Sequence, residues 1–206
     1  MSSQNPGIDP AAFKHLVVPL GVVIGLGVAH LVRCVASYIE KRREVRFSLG
    51  HSLWTAVCFL FLIALWWNVW ALRSIPGESW SYFVLIYLMV GPAAMFLAVA
   101  LLVPSLPDDP PEGTAPGLRL DLGRHMDSAC RHVFSSIAGA VLWLMITQTW
   151  LEGQELLTAN RFFQSSAIVL LSIGVVWPSR RIATILGVVM LLLSGIAFGL
   201  LRQQFV

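Results

Sequence analysis

Residues 49–72, LGHSLWTAVCFLFLIALWWNVWAL, contain no Asp, Glu, Lys or Arg, and charge returns only at Arg46 before them and Arg73 after. A helix rises about 1.5 Å per residue and a bilayer's hydrocarbon core is about 30 Å thick, so about 20 apolar residues suffice to cross it. Lipid offers no partner to a backbone N–H or C=O, and a helix satisfies both within its own segment. The stretch therefore reads as a membrane-spanning helix.

Working outward, five further apolar runs have the same character. The first span covers about His15 to Tyr38 and ends at the charged stretch Glu40-Lys41-Arg42-Arg43-Glu44-Val45-Arg46. After the quoted second span, the turn Ile75-Pro76-Gly77-Glu78 leads into a third, Trp80 to Val103. The fourth runs from Val133 to Trp150, the fifth from Phe162 to Trp177 and the sixth from Ile182 to Leu201, with Pro178-Ser179-Arg180-Arg181 between the last two. Composition agrees: 57% of residues are hydrophobic and 12% charged, against about 45–50% and about 25% in soluble domains. Mean hydropathy is +0.76. The expected fold is an all-α polytopic integral membrane bundle of six transmembrane helices, a single domain over residues 1–206. Residues 1–14 are polar and lack the basic segment of a signal peptide, so they read as a short tail before a retained helix.

Lys and Arg set the expected orientation. Alternate connections carry Arg33, Lys41, Arg42, Arg43, Arg46, Arg119, Arg124, Arg131, Arg180 and Arg181, ten residues in all; the opposite side carries Lys14, Arg73, Arg161 and Arg202, the other four of the fourteen. Basic residues favour the cytoplasmic side, so both termini are expected outside, in a bacterial cytoplasmic membrane. The basic residues sit where helices leave the membrane and face lipid head groups. The net charge of +3 is thus no nucleic-acid footprint. The chain resembles small bacterial six-span proteins in architecture.

The stretch Pro104-Ser105-Leu106-Pro107-Asp108-Asp109-Pro110-Pro111-Glu112-Gly113-Thr114-Ala115-Pro116-Gly117 is too rich in proline for helix or strand. It reads as a linker between two three-helix halves, residues 15–103 and 133–202, within a cytoplasmic loop spanning 104–132. A weak internal likeness, His51 opening the second span and His132 the fourth, hints at a repeat of the kind found in transporters.

Small residues let membrane helices approach closely. Gly21, Gly25 and Ala29 share one face of the first span, and Gly187, Gly195 and Gly199 recur along the sixth. These faces are expected to pack against each other or against another copy of the chain. Gly91-Pro92, in the middle of the third span, predicts a kink, because proline removes a backbone hydrogen bond and crowds the preceding turn. Most tryptophans, including Trp54 and Trp177 at inner ends, fit an interfacial belt; Trp143, in mid-span, does not.

Polar residues in the membrane are the functional candidates. Asn68 and Gln148 lie at comparable outer depth and either bond across helices or line a vestibule. His30 and Arg33 occupy the inner half of the first span, with Arg33 close enough to the edge to snorkel. Asp121, His125, Ser128 and His132 recur at spacings of four, three and four, which gives one titratable helix face. His51 starts the second span at the same depth. This cluster reads as a solvated face, as proton-handling machinery titrating between about pH 5 and 8, or as a metal site; the residues themselves assign no metal and no cofactor. Cys34, Cys58 and Cys130 lack metal spacing and read as small buried hydrophobes. No nucleophile elbow, zinc-protease helix or phosphate loop occurs. The expectation is a channel or transporter for ions or small solutes with a pH-linked step, the alternative a non-transporting scaffold subunit.

Overall fold

The computed structural model describes residues 10–72, 81–105, 120–150 and 159–202. Among them are six helices: α1 (Pro10–Glu40), α2 (Leu49–Ala71), α3 (Tyr82–Leu102), α4 (Leu122–Trp150), α5 (Ala159–Val176) and α6 (Arg180–Arg202). Five are long and apolar enough to cross a membrane, and α5 is a shorter apolar helix. The protein is an all-helical, membrane-embedded bundle. The proline-rich stretch 106–119 lies outside the described residues, as do residues 1–9 and the turn 73–80.

The largest departure from the expected spans is at α4. It begins at Leu122 rather than Val133 and runs 29 residues, about 43 Å at helical rise. The reason is local. Asp121 Oδ1 accepts from Gly123 N at 2.9 Å and Arg124 N at 3.0 Å, which caps two of the N–H groups a helix start leaves unpaired. The preceding residues form a short parallel bridge, β1 (Val45–Arg46) with β2 (Leu120–Asp121). Arg46 adds an ion pair to Asp121 at 3.5 Å. The lead-in is thus anchored to the segment after α1 and continues into the span.

The helices alternate in direction. Near one end, Arg180 at the start of α6 reaches Asp127 in the early turns of α4 at 2.8 Å. Near the other end, Arg161 at the start of α5 reaches Met145 O and Thr149 Oγ1 late in α4, at 2.5 and 2.6 Å. Helix α5 therefore travels the length of α4 between these two levels. The most extensive packing is of α3 on α4 and of α2 on α6, besides α4 on α5 and α1 on α3. Two of those seams join the first three helices to the last three, so the packing does not separate into two halves. His51 is buried and His132 exposed, so the suggested repeat positions differ in setting.

The core is filled by Trp54, Phe134, Leu62, Leu88, Met95 and Ile137, all fully buried. Trp54 corrects the belt assignment. Its Nε1 donates to Ala183 O on α6 at 2.7 Å and its ring packs 4.5 Å from Phe134. Trp66, Trp67, Trp150 and Trp177 are exposed, as a belt requires.

Glycine placement follows close approach. Gly187 packs on Leu53 and Trp54 of α2, so its partner is α2 rather than α1. Gly21 faces Trp66 of α2, while Gly25 and Gly195 meet nothing within 4 Å of a built Cβ. Ala29 is exposed as well, so the small-residue faces of α1 and α6 are not joined inside this bundle. Gly199 lies in α6, its surroundings outside the described residues. Gly27, which lies off the four-residue spacing, packs on Leu62 and Phe96.

Gly91 has the tightest neighbour among the described glycines: a Cβ there would lie 2.0 Å from the Trp143 ring. Helix α3 runs uninterrupted through Gly91 and the buried Pro92, and Trp143 Nε1 donates to Tyr87 O at 2.9 Å. We expect Gly91→Ala to lower stability by about 1–3 kcal/mol, the usual cost of overpacking. Gly25→Ala should be neutral within about 0.5 kcal/mol. Adding Trp143→Leu should recover much of the Gly91→Ala loss in a double-mutant cycle read by unfolding in detergent. Additive losses would show that the ring does not set the requirement for glycine.

Candidate functional site

At one end of the bundle, three helices converge on the C-terminus of α3. Pro104 has no N–H, so α3 cannot continue, and its last carbonyls need partners from elsewhere. In lipid those partners must come from protein. His125 on α4 meets Leu101 O at 2.8 Å, His51 on α2 meets Leu102 O at 2.8 Å, and His30 on α1 meets Val103 O at 3.0 Å. Tyr38 on α1 donates to Pro104 O. A carbonyl only accepts, so each Nε2 carries its hydrogen. The negative end of the helix dipole further favours donors there.

These contacts revise the titratable face of α4. Asp121 is the helix cap and ion-pair partner described above. His125 turns to α3, Ser128 Oγ donates to His125 O at 2.8 Å, and His132 is exposed. The first and last members thus have separate surroundings. His30 and Arg33 also part: His30 faces α3, with Cys34 Sγ 3.8 Å away, while Arg33 is exposed. The three imidazoles each address a different carbonyl rather than a common point. Among the described residues, no group of three or more His, Cys, Asp or Glu is placed to hold a metal. Cys34, Cys58 and Cys130 are free and buried.

The opposite end carries an amide ladder. Asn68 Nδ2 donates to Ala64 O at 2.7 Å, and its Oδ1 accepts from Gln148 Nε2 at 2.8 Å. Gln148 Oε1 then accepts twice from α5, from Asn160 Nδ2 at 3.2 Å and Gln164 Nε2 at 2.8 Å. Ala64 O fixes the direction of this chain. It can only accept, so Asn68 must present its oxygen to Gln148, and Gln148 its oxygen to α5. The polarity runs to Gln164, whose Oε1 is buried and has no hydrogen-bond partner among the described residues.

Beside the ladder, Tyr87 and Thr147 hydroxyls meet at 3.1 Å, and Thr147 also donates to Trp143 O at 2.8 Å. Polarity and depth within apolar spans singled out Asn68 and Gln148 but not Asn160, Arg161 and Gln164. Asn160 and Gln164 are one turn apart at the start of an apolar helix, the same signal that singled out Asp121 and His125. Arg161, counted among surface cations, is only 3% exposed.

The ladder borders a cavity of about 140 Å³ between α2, α4, α5 and α6. Ala64, Ile137, Ala140, Phe163, Ala167 and Met190 supply apolar wall; Asn68, Asn160, Gln164 and Ser194 supply polar groups; the exposed Trp67 is part of its border. Pro92 lies outside this wall and lines a second void of about 20 Å³ beside Asn68 and Thr147.

Removing a donor from a buried carbonyl costs about 1–3 kcal/mol. We expect His51→Leu to lose stability in that range by denaturant titration in mixed micelles, His51→Gln to retain part of it, and His132→Ala to stay within about 0.5 kcal/mol. Equal losses at His51 and His132 would contradict the capping role.

No protein-family model, no curated protein and no solved structure matches this chain.

Proposed function

We propose that the protein crosses a bacterial cytoplasmic membrane six times and carries a small uncharged solute through the cavity bordered by the amide ladder. The observation that carries this reading is a mostly apolar intramembrane chamber with polar groups gathered on one wall, the usual make-up of a small-molecule site. The packed layer of Trp54, Phe134 and Leu62 lies between the ladder and the histidine end, which favours a carrier over an open channel. His30, His51 and His125 each direct Nε2 to a carbonyl at the end of α3, which gives them a part in holding the helices together.

The path of α5 supports the reading of six crossings. Its 18 residues cover about 27 Å, close to the hydrocarbon thickness of about 30 Å, and its ends meet opposite ends of α4. The orientation rests on charge. Arg33, Lys41, Arg42, Arg43, Arg46, Arg124, Arg131, Arg180 and Arg181 are all exposed at the histidine end, whereas Arg161 at the other end is buried. The histidine end is therefore assigned to the cytoplasm and both termini to the outside. In intact cells, Tyr82→Cys should react with an impermeant thiol reagent and Arg43→Cys only after permeabilisation. The reverse pattern would invert the assignment.

The exposed basic end also favours a second reading, a non-transporting subunit that holds partners or anionic lipid there. Reconstituted flux separates the two. Vesicles containing the protein should show saturable uptake of an uncharged solute from a panel of glycerol, urea and benzyl alcohol, with no potassium or proton current. The cavity-filling Ala167→Phe should reduce that uptake at least tenfold. Uptake no faster than in protein-free vesicles would leave the scaffold reading.

A further inference from the structure

We infer that the small void beside Pro92 binds one ordered water molecule, which bridges Leu88 O on α3, Thr147 Oγ1 on α4 and Asn68 Nδ2 on α2.

Proline creates the need. In an α-helix each carbonyl accepts from the N–H four residues on, and Pro92 has no N–H to give Leu88. Helix α3 nonetheless continues through this point without a break. The adjoining carbonyl, Tyr87 O, accepts from Trp143 Nε1 at 2.9 Å. Leu88 O loses its helical donor in the same turn, and Leu88 is wholly buried. Inside a membrane, backbone groups freed by proline are met by neighbouring helices, by side chains or by water held within the protein.

The geometry brings that carbonyl to a place of the right size. A helical carbonyl points along the axis toward the residue four positions on, so Leu88 O lies on the face between Leu88 and Pro92. Both residues line the void of about 20 Å³, together with Asn68 and Thr147. A water needs about 10–15 Å³ by this measure and two to four polar partners. The space therefore takes one water and nothing larger.

The hydrogen-bond census fits the same guest. Thr147 gives its hydrogen to Trp143 O at 2.8 Å, so Tyr87 is the donor in the 3.1 Å contact between their hydroxyls. Thr147 Oγ1 thus keeps one lone pair. Asn68 commits one Nδ2 hydrogen to Ala64 O and its Oδ1 to Gln148, which leaves its second N–H. The open positions are two acceptors and one donor. Water matches them by donating to Leu88 O and Thr147 Oγ1 and accepting from Asn68. A cation does not, since it would face the Asn68 N–H in a wall that holds no Asp or Glu. Through Asn68 the water also joins the proline turn of α3 to the amide ladder, so one polar network runs from α3 to α5.

Water-edited solid-state NMR on the full chain in lipid vesicles tests this. Magnetisation from water should reach the Leu88 carbonyl carbon about threefold faster than those of Val84 and Met95, buried residues of the same helix. Val84 lies nearer the start of α3, so simple penetration from the membrane surface would favour it over Leu88. Pro92→Ala supplies the missing N–H and should bring Leu88 to the rate of the two controls. Equal rates in the wild-type protein overturn the inference. A faster rate at Leu88 that survives Pro92→Ala also overturns it, because relay through the Tyr87 or Thr147 hydroxyl would then be its source. Should Pro92→Ala fail to fold, Thr147→Val decides: a lower rate at Leu88 supports the bridge, and an unchanged rate overturns it.

Discussion

The end of α3 imposes a constraint around which the rest of the bundle is arranged: four successive carbonyls, at residues 101–104, must be satisfied where water is scarce. Pro104 stops the helix and removes the N–H that would have served Ala100. The donors therefore come from three other helices, His125 from α4, His51 from α2, and His30 and Tyr38 from α1. Each bond fixes the height of one helix against α3. Hydrophobic packing alone would not do this, because lipid tails compete with side chains for apolar surface and the drive for helices to associate in register is weak. Histidine suits this position because it is long enough to bridge helices, it can remain neutral, and its N–H can meet a carbonyl that lies off the helix axis.

The same constraint explains why spans are easier to find in the sequence than sites. Apolar runs bounded by charge mark helices because the free energy of placing residues in lipid is nearly additive along a segment. Five of the six helices were legible from length and polarity, and the sixth nearly so. The start of α4 was not. It depends on Asp121 capping two N–H groups within the next turn and on a bridge from Leu120 and Asp121 to Val45 and Arg46, residues more than seventy positions earlier in sequence. Periodicity likewise put Asp121, His125, Ser128 and His132 on one face, but it is silent on what the face meets. The cap takes Asp121, α3 takes His125, and the surroundings take His132.

The amide end illustrates a second limit. Asn68 and Gln148 stood out as polar residues in apolar helices, and the two are in direct contact at 2.8 Å. Their partners on α5 were hidden by position, since polar residues in a first turn read as interfacial. Arg161 misled for the same reason. A cation at a helix start counts as a surface charge in any sequence tally, yet its guanidinium is directed to Met145 O and Thr149 Oγ1 of α4. Setting it aside sharpens the asymmetry of exposed positive charge between the two ends among the described residues.

The two ends balance their hydrogen bonds differently, and that difference bears on function more than the identity of any single residue. At the histidine end, the carbonyls of residues 101–104 are each matched by a donor, three by imidazoles and one by a phenol, and these bonds hold helices together. At the amide end, each side chain brings two N–H donors and an accepting oxygen, so a run that begins at the Ala64 carbonyl fixes which end of Asn68, Gln148 and Gln164 faces the next. Gln164 lines the apolar chamber with Phe163 and Ala167, while its Oε1 is buried with no hydrogen-bond partner among the described residues. The same ladder thus ties α2, α4 and α5 together and supplies the polar side of that chamber.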